Sequence, residues 1–139
     1  MILNLQIVIV QLDIAGDHEK MDVTVTGVQS VGGEKQTLFT QAISISRTEH
    51  VNVTTNSIFR WPNLISWLRS QGISSLAVAN LVVSQLTASI LTVAMSPTIS
   101  KLSLEQRIYG SSITTSTALL TFEQQENARM KMNPTSHSN

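Results

Sequence analysis

Residues Ser74 to Ser96 read SSLAVANLVVSQLTASILTVAMS and lie between Gly72 and Pro97. The run carries no charge, and the uncharged stretch extends from Ser70 to Ser100. On a helical wheel Leu76, Ala79, Val82, Val83, Leu86, Ile90, Val93 and Ala94 fall within an arc of about 120°, with Asn80, Ser84, Gln85, Thr87, Ser89, Thr92 and Ser96 outside it. That period predicts a helix over 75–95, capped by Ser74 or Ser75 and closed by Pro97. The β-branched residues weaken helix propensity, so a pair of strands broken near Ser84-Gln85 is the alternative. As a soluble helix it would cover a sheet, each large apolar side chain contributing about 1.5–3 kcal/mol on burial. It is also long enough to span a bilayer. Its polar face and the lack of flanking aromatic belts argue against that use.

Working outward, the preceding residues have strand character. Residues 2–14 are apolar on both faces around Ile7, Val8, Ile9 and Val10, as in a doubly covered strand. A turn follows at Gly16-Asp17. Met21 to Val28 alternates, Val23 and Val25 one way and Asp22, Thr24 and Thr26 the other. Gly32-Gly33 marks a second turn, and Thr37 to Arg47 alternates again with Phe39, Ile43 and Ile45 inward. Val51 to Thr55, with Ile58 to Arg60, is expected as a fourth, broken strand. Short connections imply an antiparallel meander over residues 2–60.

Beyond it, Pro62 is well placed in the first turn of a helix whose face is Trp61, Leu64, Ile65 and Leu68, stopped at Gly72. Ser103 and Gln106 have the spacing of a capping box, which predicts a brief helix over 104–109. Ser111 to Thr117 reads as a hydroxyl-rich linker and Ala118 to Met132 as a helix, with a fifth strand over 113–122 as the alternative. Residues 133–139 form a polar tail. The expected fold is α+β: one domain over 1–132, its sheet half at 1–60 and its helical half at 61–132, with the helices packed on an antiparallel meander.

Composition bounds the function. At 139 residues the chain can bury a real core, and aromatics at 4% make that core aliphatic. Charged residues are only 13%, which favours self-association. Net charge is zero, so nucleic acid is not an expected partner. Residues 1–50 hold six acids against three bases and residues 51–139 the reverse, a split that suits head-to-tail packing of copies but also arises by chance. With no cysteine there is no disulfide or thiolate site. The first residues lack the basic region of a secretory signal, so the expected location is the cytoplasm or an assembled particle.

No constellation points to catalysis, a cofactor or a metal. Asp17-His18-Glu19 and Glu49-His50 read as polar turns, since adjacent side chains point apart. With eighteen serines, proximity of a Ser to a His would mean little, and no nucleophile elbow is present. Gly32-Gly33-Glu34-Lys35 lacks the spacing of a phosphate loop. Trp61 and Trp67, beside Arg60 and Arg69, could stack bases but read better as core or interface anchors. Trp61, Trp67, Leu86, Ile90 and Val93 are therefore the candidate interface residues. The expected function is a non-enzymatic structural or assembly subunit forming homo-oligomers, a viral or phage particle component being one example. A small membrane-associated protein using residues 74–96 is the alternative, and an enzyme with a site around His18 or His50 is a third.

Overall fold

The computed structural model describes residues 6–48 and 60–132. In chain order it comprises β1 (Gln6–Gly16), β2 (Lys20–Val31), β3 (Glu34–Ser46), α1 (Trp61–Ser70), α2 (Leu76–Met95), β4 (Ile99–Tyr109), β5 (Ser112–Thr121) and α3 (Phe122–Met132). The strands form one antiparallel sheet in the order β3-β2-β1-β4-β5. The fold is α+β with an antiparallel sheet, as the alternating N-terminal segments require. The segment expected as a fourth strand over 51–60, the pair Glu49-His50 and the tail at 133–139 lie outside the described residues, apart from Arg60.

β1 is the centre of the sheet, flanked by β2 and β4. Its alternate residues Val8, Val10, Leu12 and Ile14 are buried, and their cross-strand neighbours Val23, Val25, Leu102, Leu104 and Ile108 are buried on the same face. α2 lies over β1 and β4 and packs against α1. Ser75 caps α2 through its hydroxyl, which accepts from the Val78 N–H at 3.3 Å. The buried stripe of α2 is Val78, Ala79, Val82, Leu86, Ile90, Val93 and Ala94. It differs from the wheel at Leu76, which is exposed, at Val83, which is half-buried, and at Val78, which is buried though outside the arc. Leu76 stands in the first turn, beyond the reach of the sheet.

The back half departs from the expected helical half. Residues 103–106 are no capping box: they sit in β4, where Leu102, Leu104, Gln106 and Ile108 face the helices and Lys101, Ser103, Glu105 and Arg107 face away. The period is two, and Gln106, a polar residue at a core position, disguises it. The stretch expected as a linker is most of β5, hairpinned to β4 through Gly110-Ser111. The final helix starts at Phe122, four residues later than expected. Thr121 and Gln124 cap it reciprocally, each side chain accepting from the other's backbone N–H at 3.1 and 3.0 Å. The sheet therefore draws on both halves of the chain, and the division into a sheet half and a helical half does not hold.

Two contacts lock the layers together. Gly27 in β2 lies under the Trp67 ring, which also meets Phe39 of β3 with ring centroids 5.9 Å apart. A Cβ on Gly27 would stand 2.5–2.9 Å from three Trp67 ring carbons. The second contact is Arg47, buried at 6% exposure just past β3. Its Nε donates to the Asp17 carbonyl at 2.6 Å, Nη2 to the Ile99 carbonyl at 2.6 Å, and Nη1 to the carbonyls of Ser96, at 3.1 Å, and Val93. One guanidinium thus caps the C-terminal end of α2, where unpaired carbonyls favour a cation. It also ties that end to the β1–β2 turn and the start of β4.

Gly27→Val should cost about 1–3 kcal/mol in urea unfolding through overpacking, and Trp67→Leu in the same chain should return part of that loss. Arg47→Leu leaves several buried carbonyls without this donor and should cost about 3 kcal/mol or more by the same measurement. Arg47→Lys should recover less than half, because an ammonium cannot reproduce the planar fork.

Candidate functional site

The five residues singled out as interface candidates are used inside the chain. Leu86, Ile90 and Val93 have no exposed surface and Trp61 is nearly as enclosed. Trp67 is partly buried, packed on Gly27 and Phe39. They hold the helices to the sheet, and Trp61, Leu86, Ile90 and Val93 present no face to a partner. This is the correction the tertiary structure makes: a helical wheel finds the buried stripe but cannot tell a core from an interface, because both need the same apolar arc.

The polar turns are structural. The Asp17 carboxylate accepts from the backbone N–H groups of Lys20, at 2.7 Å, and Glu19, at 2.8 Å. These two bonds hold its carboxyl below the usual carboxylate value. His18, at the same turn, stacks on Phe122 with ring centroids 4.3 Å apart and planes inclined by 24°. With Thr98, Thr121 and Glu123 it lines an open cleft of about 430 Å³. His18 makes no hydrogen bond to an acid or hydroxyl among the described residues, so the base–orienter pair a hydrolytic site needs is not assembled there. Gly32 and Gly33, both with positive φ (58° and 88°), form the tight β2–β3 turn and do not cradle a helix N-terminus. The described residues contain no group of three or more acid or His side chains able to hold a metal ion.

The face of the sheet opposite the helices carries a polar ladder. Ser103 donates to Asp13 at 3.0 Å, Gln11 to Glu105 at 3.4 Å, and Arg107 to Glu105 at 3.2 Å. A shallow cleft of about 270 Å³ between β1, β4 and β5 is lined by Gln11, Asp13, Ser103 and Glu105 with Ser116 and Ala118. Its carboxylates already pair with their neighbours in the sheet.

Two exposed surfaces stand out instead, and both lack charge. The outer side of α2 shows Leu81 and Met95 at 48% and 66% exposure. Ala77, Leu81, Ser84, Ala88, Leu91 and Met95 follow one another there at alternating spacings of four and three, the seam pattern of paired helices. The other surface is β5, sequence SITTSTALLT, which is an outer strand of the sheet among the described residues. Ser112 and Thr114 to Leu120 are all exposed, including Leu119 at 44% and Leu120 at 38%. The helices cover β1, β2 and β4 and reach β5 only at Ile113, half-buried against the core, and Thr115, whose hydroxyl donates to Gln85 of α2 at 3.2 Å. The sequence offers β5 only as the alternative strand over 113–122, because its hydroxyl content resembles a linker. Its signal was the density of β-branched residues and the absence of any Pro, Gly or charge. Comparison of the chain with family models, with curated proteins and with solved structures finds no match.

Asp17 has a depressed folded-state pKa, so its stabilising contribution is present above the unfolded value, near 3.8, and is lost as pH falls through the folded value. Urea midpoints measured from about pH 5 down to pH 2 should fall more steeply for the wild type than for Asp17→Asn, which removes the titration. Equal slopes would show that the two backbone hydrogen bonds do not favour the ionised carboxyl.

Proposed function

We propose that this chain is a non-enzymatic structural subunit that self-associates, a component of a larger assembly such as a viral or phage particle. The observation that carries the reading is the uncharged outer side of α2. A helix that has already spent one apolar stripe on its own core exposes Leu81 and Met95 on the other side, with no charged residue between Arg69 and Lys101. Surface helices of monomers ordinarily carry charge on that side. The low charge of the whole chain supports the same reading, since little opposes close approach of copies.

A second reading rests on the same helix. α2 is long and apolar enough to cross a membrane, and only 33% of that stretch is buried. Insertion would have to pull Val82, Leu86 and Ile90 off the sheet, and that loss of burial favours assembly over membrane insertion.

Light scattering coupled to size exclusion, without detergent, separates the readings. A defined oligomer at tens of micromolar is expected. Its mass should not change between about 0.05 and 1 M salt, because the contact surfaces are uncharged. Dissociation at high salt would shift the contact to the acidic and basic halves. A monomer throughout would remove the assembly reading, and recovery only in detergent would promote the membrane one.

A further inference from the structure

We infer that two copies of this chain join their sheets edge to edge through β5, antiparallel about a two-fold axis; this rests on the self-association reading and names its contact. The Leu120 carbonyl accepts from Ser100 of β4, and the Phe122 N–H donates to the Thr98 carbonyl. Even-numbered residues of β5 therefore turn their backbone groups toward β4. By the alternation of a strand, Ile113, Thr115, Thr117 and Leu119 turn theirs outward, where no described residue pairs with them. The Thr121 N–H also points outward, and the Gln124 side chain accepts it at 3.0 Å.

Natural outer strands are blunted by charge, proline, bulges or shortness. β3, on the other side of the sheet, carries Glu34 and Lys35 and is interrupted by a register shift opposite Gly27/Val28. β5 has none of these devices over its ten residues; the register shift in its pairing lies at the far end, between Ile99 and Lys101. An uncharged strand with outward donors and acceptors is complementary to itself when reversed. β5 therefore meets another β5 with no like charges opposed, whereas a bulged β3 offers a poorer template.

The register follows from the free donors. With Ser116 opposite Ser116 of the second copy, Ile113 pairs with Leu119 and Thr115 with Thr117, so all four outward residues are satisfied. Shifting until Thr117 faces itself would pair Ile113 with Thr121, whose N–H is already taken. In the favoured register Leu119 lies beside Ile113 of the second copy on the helix-bearing side, which covers part of an exposed leucine. Ser116 becomes a non-hydrogen-bonded pair, with Cα atoms about 4.5 Å apart.

That separation lies within the range a disulfide spans, about 4.4–6.8 Å, and the chain has no cysteine of its own. Under mild oxidation at micromolar concentration, Ser116→Cys should cross-link to a dimer rapidly. Thr114→Cys, which would face Ala118, and Ser44→Cys on β3 should not. Thr117→Pro removes an outward N–H while sparing the ladder to β4, so it should stay folded by near-ultraviolet circular dichroism. It should also weaken the oligomer about tenfold or more. An oligomer that withstands Thr117→Pro, with no selective cross-link at 116, overturns the β5 contact and leaves self-association standing. A wild-type monomer at all concentrations overturns both. If Thr117→Pro unfolds, the cysteine comparison alone decides.

Discussion

The buried guanidinium of Arg47 is the constraint on which the layers of this protein depend. In a chain with so few charges, one cation is taken almost fully out of water and surrounded by backbone carbonyls. Its hydrogen bonds reach oxygens that the end of α2, the β1–β2 turn and the start of β4 would otherwise leave unpaired. Burial pulls the guanidinium pKa downward and Asp17 opposes this. Because the three segments are far apart in sequence, Arg47 sets the angle at which α2 descends onto the sheet and the point where the chain re-enters it as β4.

From that geometry the one-sided covering follows. α2 is positioned over β1 and β4, and α1 reaches the other side through Trp67 over Gly27. The two helices are together narrower than five strands. β5 is left exposed over most of its length, meeting the helical layer only at Ile113 and Thr115, and α2 keeps an exposed outer side. These surfaces are consequences of how far the helices extend, and their lack of charge makes them suited to protein contact.

Much of the front half was legible because its signals are local. Val23 and Val25 alternate with Asp22, Thr24 and Thr26, and a period of two cannot be mistaken when turn residues bracket it. The stripe of α2 was legible for the same reason at a period of 3.6. β4 was not, because Gln106 occupies a core position, where it donates to Gln85 and leaves its own carbonyl oxygen without a partner among the described residues. One polar residue in four inward positions was enough to let a capping-box spacing compete with the strand pattern. The candidate surfaces were harder still: Trp61, Leu86, Ile90 and Val93 have the chemistry of an interface, and only their burial shows that the chain itself is the partner.

The sequence by itself determined the class of elements in the front half, the position of α2 and its cap, the aliphatic nature of the core and the scarcity of charge. These depend on residue type and near-neighbour spacing, which side-chain sterics and backbone geometry convert directly into helix or strand. Tertiary structure alone decided that β4 returns beside β1, that Arg47 finds its carbonyls, and that β5 rather than a helix lies outermost. A strand's hydrogen bonds can be met by many partners, so adjacency is chosen by the packing of the whole, and with it which apolar side chains are spent inside and which remain outside.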